Sequence, residues 1–145
     1  MMPLETSGST PLSPESNLDQ RLTVSHPVID AWLRAVNAHS VDAVCSLYAP
    51  EAILLPTLSD VIRDTPDRIR DYFESFLNRK NLSATLRNCY VQEYSEIKID
   101  SGIYEFKWES DTMGLMQFAR ARFTFVIREE QIVEHHSSMA SKFPE

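Results

Sequence analysis

The sequence predicts an α+β fold, and three observations predict it. Apolar residues recur at helical spacing in two stretches between residues 28 and 77. From Ser83 onward the period changes to two. Near the end, two runs rich in β-branched and aromatic residues, Arg120–Ile127 and Ile132–Ser138, are joined by the charged Arg128-Glu129-Glu130-Gln131, a hairpin pattern. Helices first and an antiparallel meander afterwards define the α+β class.

The elements follow in order. Residues 1–23 hold three of the eight prolines among many Ser and Thr, so they read as a flexible tail, with 24–145 as one domain. A docking arm carried by Leu4, Leu12 and Leu18 is the rival reading of that tail. Ser25-His26-Pro27 opens a helix whose apolar face is Val28, Ile29, Trp32, Leu33 and Val36. Asn37-Ala38-His39 breaks it, and Ser40 caps a shorter helix through Val44 and Leu47 that stops before Pro50. Ala52–Leu55 fits a buried strand, and Leu58–Ile62 reads as a second extended segment. Thr65 and Pro66 start the next helix, striped by Ile69, Tyr72, Phe73, Phe76 and Leu77. Strands are expected at Thr85–Glu93, at Ile97–Lys107 with a turn at Asp100-Ser101-Gly102, at Leu115–Ile127 and at Ile132–Ser138.

Composition excludes several functions. The chain has 145 residues and a formal charge of −7, which argues against a nucleic-acid surface. No apolar run approaches the roughly 20 residues of a membrane helix, and the start lacks a signal-peptide pattern. The two cysteines, Cys45 and Cys89, stand apart without metal spacing and read as free thiols of a cytoplasmic protein. With three glycines there is no phosphate-binding loop, and neither a cofactor nor a metal is expected.

Leu47-Tyr48-Ala49-Pro50-Glu51-Ala52, Ile69-Arg70-Asp71-Tyr72-Phe73, Arg122-Phe123-Thr124-Phe125-Val126 and His135-His136-Ser137-Ser138 together carry a family likeness. In their order and spacing the chain resembles the nuclear transport factor 2-like, or SnoaL-like, superfamily. Within it the chain is most similar to the association domain of calcium/calmodulin-dependent protein kinase II. The resemblance implies a cone-shaped barrel: a curved, mostly antiparallel sheet wrapped around the long N-terminal helix, with a pocket at the open end. It also implies a homo-oligomer, a dimer at least, and a pocket with buried arginines. Arg70 and Arg122 match two of these, and Lys107 stands at a third, keeping the charge without the planar fork. The turn before the last strand departs from the family pattern, with Glu130-Gln131-Ile132 where a glycine and a tryptophan are usual.

The long strand has two faces, and two readings of them stay open. Leu115, Gln117, Ala119, Ala121, Phe123, Phe125 and Ile127 share one; Met116, Phe118, Arg120, Arg122, Thr124, Val126 and Arg128 share the other. Read alone, the phenylalanine face is the core. The resemblance implies instead that the arginine face lines the cone and the phenylalanine face packs on a second subunit. Arg70, Lys107, Arg122 and His136 would then bind a small carboxylate, or each cation would pair with Glu105 or Glu134. His135 and His136 point to opposite faces, which disfavours a shared metal. His136, on the face of Ile132, Glu134 and Ser138, matches the recurring family histidine and reads either as an acid–base group or as a hydrogen-bonded core residue. Two functions remain: an oligomerising ligand-binding module, or an enzyme of the polyketide cyclase, ketosteroid isomerase or dehydratase type, in which Asp100, Glu105 or Glu134 would serve with His136 and a tyrosine. The module is the preferred expectation.

Overall fold

The computed structural model describes residues 27–141. The expected tail, its leucine arm, and Ser25 and His26 lie outside the described residues. The elements run α1 (Pro27–Asn37), α2 (Val41–Cys45), β1 (Tyr48–Leu55), α3 (Pro66–Phe76), β2 (Lys80–Glu93), β3 (Lys98–Glu109), β4 (Met116–Arg128) and β5 (Gln131–Met139). The five strands form one curved, unclosed sheet in the order β1-β5-β4-β3-β2. Only β1 and β5 pair in parallel; the other neighbours are antiparallel.

Local chemistry sets the helix boundaries. The Ser40 side chain accepts from Ala43 N at 3.1 Å, and that of Thr65 from Arg68 N at 3.2 Å. His39, at φ 55°, turns the chain out of α1. Its ring meets the Leu82 carbonyl at 2.7 Å, and Asn37 bonds both the N–H and the C=O of Ala84. These contacts fix the C-terminal end of α1 on the start of β2.

Trp32 centres the core. Its indole stacks on Tyr104 at 5.4 Å and meets Phe125, Phe73 and Phe106 edge-on. Ala119, Ala121, Phe123, Phe125 and Ile127 are all buried against this centre, while Arg120, Arg122 and Arg128 are exposed. The expectation that the arginine face lines the cone is therefore corrected. The aromatic stripe fills the concave side of the sheet, and a guanidinium there would lose its hydration without a partner.

Two local expectations also change. Leu58–Ile62 forms no strand; a single bridge joins Leu54 to Arg63. Asp100-Ser101-Gly102 is not a turn but continuous β3, paired with Val91, Tyr90 and Cys89 of β2. Gly102 is required there for close approach. A Cβ at this position would sit 2.8 Å from the Asn88 carbonyl carbon and 2.9 Å from its Oδ1. The β2 ladder shifts register between Leu86 and Asn88, which brings the Asn88 backbone over Gly102.

The hairpin between β4 and β5 is a two-residue loop with Glu129 and Glu130 at φ 53° and 63°. Two consecutive positive φ values suit the right-handed twist of the flanking strands.

Gly102→Ala is expected to lower the melting temperature by about 5 °C or more, because backbone rather than a flexible side chain must move. Thermal denaturation followed by circular dichroism checks this, and an unchanged midpoint refutes the close-approach account.

Candidate functional site

The concave side of the sheet holds a chain of polar groups inside the aromatic core. Trp32 on α1 donates its indole N–H to the Tyr48 hydroxyl at 3.1 Å. Tyr48 lies 2.7 Å from Nδ1 of His135, and Tyr104 lies 3.1 Å from Nε2 of the same ring. Tyr104 donates to Ser137 Oγ at 2.6 Å, and Ser137 meets the Thr57 hydroxyl. Four elements and one loop thus supply one continuous network.

Its direction follows from donor counting. Indole can only donate, so the Tyr48 oxygen accepts and its own proton is left for His135. Nδ1 is then the acceptor and Nε2 carries the hydrogen. That hydrogen points to Tyr104, whose proton goes on to Ser137. The opposite tautomer would leave the Tyr48 hydroxyl without an acceptor. His135, 2% exposed and stacked on Phe125 at 3.9 Å, is therefore a neutral Nε2–H imidazole. Burial, with a smaller contribution from neighbouring His136, pushes its pKa down to about 3. Burial raises the Tyr48 and Tyr104 hydroxyls, so both stay protonated.

Thr57, Ser137, Tyr104 and His135 form the polar wall of a cavity of about 10 Å³, closed otherwise by Trp32, Leu54, Pro56, Tyr72, Phe73, Phe76 and Phe106. That volume is close to the least that holds one water molecule. Among the described residues, no carboxylate and no lysine or arginine lines it.

The residues singled out from sequence lie elsewhere. Arg122, Lys107, His136 and Glu134 are exposed, and Glu105 is half-buried in ion pairs with Arg87 at 2.7 Å and Arg120 at 3.6 Å. Register puts all five on the outer face: Lys107 opposite Phe118, Glu105 opposite Arg120, Arg122 opposite Ser138, His136 opposite Thr124, and Glu134 opposite Val126. Arg70 does not join them. It sits on α3 and pairs with Asp42 at 2.9 Å, beside Cys45. The expected convergence of Arg70, Lys107 and Arg122 on one interior pocket is corrected: the sheet itself stands between them.

His135, not His136, is the interior histidine. A bulge explains the exchange. Ile127 pairs with Ile132, but Val126 pairs with Glu134, so one extra residue at Val133 reverses the phase of β5. Counting alternate residues from the apolar Ile132 places His136 inside; the bulge places His135 there. The one sequence signal for this was the missing glycine and tryptophan at the turn that precedes it.

Cys45 and Cys89 are unbridged, and burial raises both thiols, Cys89 to about 12. Among the described residues, no three His, Cys, Asp or Glu side chains gather as a metal site requires. Nor is any helix long and apolar enough to cross a membrane.

An α+β cone with an open sheet, a central helix and an aromatic concave face defines a nuclear transport factor 2-like module. The model of the calcium/calmodulin dependent protein kinase II association domain matches residues 24–141, and the chain belongs to that family. A solved structure from Xanthomonas campestris, described as such an association domain, is 30% identical. It covers 80% of this chain and 85% of its own, with a TM-score of 0.72. A ketosteroid isomerase-like protein from Erwinia carotovora atroseptica shares the fold at 17% identity, TM-score 0.67, over 85% of this chain and 98% of its own. A solved structure from Streptomyces avermitilis, described as a dehydratase from the NTF2-like family, does so at 10% identity, TM-score 0.71, over 88% of this chain and 99% of its own. No curated protein matches the chain.

Two outcomes test the network. The His135 imidazole should remain neutral with hydrogen on Nε2 down to about pH 5, read by ¹⁵N chemical shifts. Because its folded pKa lies below the unfolded value of 6.5, the unfolded state binds more protons between roughly pH 6.5 and 3. The stability that His135 contributes is therefore lost as pH falls through that window. Tyr48→Phe keeps the ring but strands the Trp32 N–H and Nδ1 of His135, and should cost about 1–3 kcal/mol by denaturant unfolding.

Proposed function

We propose that the protein is a self-associating module whose outer sheet face meets a second copy, and that it performs no chemistry in its cone. The observation that carries this reading is Phe118, which stands on β4 with 72% of its surface exposed. Met116 beside it is also exposed. Ile99, Ile103 and Val126 continue the same outer face and are only partly covered. An apolar strip on a regular sheet is the usual mark of a partner surface.

The flanking charges suit self-pairing. Arg120, Arg122 and Lys107 share the face with Glu105 and Glu134, so a two-fold axis can set cations of one copy against carboxylates of the other. The carboxylate partner expected for Arg122, Lys107 and His136 is then met on the outer face, from Glu105 or Glu134 of the second copy or from a small anion between them. Arg70 takes no part. Membership of the association-domain family supports oligomerisation. The two unbridged cysteines support a reducing, cytoplasmic setting.

The enzymatic alternative finds less support. Moving a proton in an isomerase-like pocket needs a base with a free lone pair near substrate. Among the described residues, the one basic group on the cavity wall is His135, with both nitrogens engaged and its pKa pushed down by burial.

Sedimentation velocity at micromolar concentration should show a dimer or larger species for the natural protein. Phe118→Glu should give a monomer with unchanged far-ultraviolet circular dichroism. A natural protein that sediments as a monomer would overturn the reading. Phe125→Glu, in contrast, should abolish folding itself, since Phe125 lies in the core.

A further inference from the structure

Among the described residues, Asp100 is the one buried carboxylate. It lies on the concave side of β3, with no accessible surface, paired in the ladder with Val91 of β2 and Phe125 of β4. Neither of its oxygens has a hydrogen-bond partner. Two residues along β3, the Asn88 side chain packs over Gly102, and its Oδ1 is likewise buried and without a partner. This stretch of the ladder holds three acceptor oxygens, and among the described residues no donor reaches any of them.

The groups that face Asp100 add charge of the same sign. They are Glu93 and Cys89 on β2, Lys98 on β3 and Asp30 on α1; Phe125, from β4, carries no charge. Burial raises the Asp100 pKa most, Glu93 and Asp30 raise it further, and Lys98 alone opposes them. The carboxyl is pushed up to about 6 from its usual 3.8. Lys98 is itself within 3.8 Å of Glu93, and Cys89, pushed up to about 12, stays a neutral thiol. A buried carboxyl in this company is comfortable as the acid and costly as the anion.

The two ends of α1 meet the sheet differently. At the C-terminal end, Asn37 bonds both the N–H and the C=O of Ala84, and the His39 ring meets the Leu82 carbonyl. At the other end, Val28 and Ile29 are buried, and Asp30, in the first turn, is near enough to Cys89 and Asp100 to influence both. An anion on Asp100 therefore faces an anion on the helix, and their repulsion acts at the end of α1 away from the Ala84 anchor.

We propose that Asp100 is a proton-controlled seat for the first turn of α1: the turn packs down when Asp100 carries a proton and lifts when it ionises, with α1 pivoting about Asn37. Lifting opens the β2–β3 end of the cone and bares the Cys89 thiol. The second half of the helix stays in place.

The sign of the pH dependence is fixed by the direction of the shift. The closed state binds more protons than the open one between 3.8 and about 6, so the closure that Asp100 supports is complete below 3.8 and is lost as pH rises through about 6. His135 acts in the opposite direction and on the unfolding of the whole domain, since its contribution is lost as pH falls.

The test uses the full chain. Amide hydrogen exchange, corrected for its intrinsic pH dependence, reads the two halves of α1 separately. The amides of Ala31, Trp32 and Leu33 bond back to the first turn. From about pH 5 to about pH 7.5 their protection should fall by about tenfold, the change that a carboxyl moving from about 6 to 3.8 on opening gives over that range. Protection of Ala35, Val36 and Asn37 should hold within about twofold. Asp100→Asn keeps the shape, removes the charge and brings an N–H donor, so it should show no fall at either end.

First-turn protection that does not change over this range overturns the proposal. An equal fall at both ends of α1 overturns it too, because the whole domain then opens. So does the same first-turn fall in Asp100→Asn, because another group then titrates. Should Asp100→Asn fail to fold, the natural protein decides: the ¹³C shift of the Asp100 carboxyl and the protection of Ala31, Trp32 and Leu33 should share one midpoint near 6. Midpoints more than about one pH unit apart refute the link. Asp100 is on the concave side, so these outcomes are separate from the self-association reading of the outer face.

Discussion

The indole N–H of Trp32 sets the polarity of the interior. It is a donor that cannot accept, placed in the middle of an aromatic core where water has no access. Once it points at Tyr48, each proton has one satisfactory position as far as Ser137, which accepts from Tyr104; beyond it the Ser137 and Thr57 hydroxyls can donate either way. The same ring stacks on Tyr104 and touches Phe73, Phe106, Phe125 and His135. Helix α1, α3 and strands β1, β3, β4 and β5 are thus tied together by one side chain. A buried polar network this complete specifies a single arrangement, because any shift leaves a donor or an acceptor alone.

How much of this was legible in the sequence depended on whether the relevant signal was periodic. Ser40 and Thr65 were readable as caps, and the helix stripes at Val28–Val36 and Ile69–Leu77 named most of the helical core. The strand order of the meander followed from alternation. What alternation cannot carry across is a bulge. One extra residue at Val133 exchanged His135 for His136, and with it the interior for the exterior. Asp100-Ser101-Gly102 misled for a related reason. Its composition is that of a turn, and the requirement for glycine came from Asn88, which follows the bulge at Arg87 on the neighbouring strand β2 and which no local pattern announces.

The sidedness of β4 shows where family likeness and elementary hydrophobicity disagreed. The likeness implied arginines inside, and the residue pattern read alone put phenylalanines there. The concave face goes to the phenylalanines, leaving the charges to pair across the outer surface, Arg120 and Arg87 both on Glu105. The relatives that share this cone include proteins described as an isomerase-like protein and as a dehydratase. A shared fold does not by itself carry a shared chemistry; in this chain aromatic rings and hydrogen-bonded hydroxyl and imidazole groups fill the interior around Trp32.

The parallel pairing of β1 with β5 has a consequence for synthesis. Among the described residues, β5 is the last strand in sequence but the second in the sheet, and it alone borders β1. A growing chain on the ribosome can form its helices and the β2–β3–β4 meander early. Through all of that time the apolar Ala52–Leu55 segment has no neighbour, and Tyr48 and Trp32 wait for a histidine that has not been translated. Such long-range closure is slow and exposes strand edges to other chains. Until the β4–β5 hairpin has formed, the β1 edge stays open.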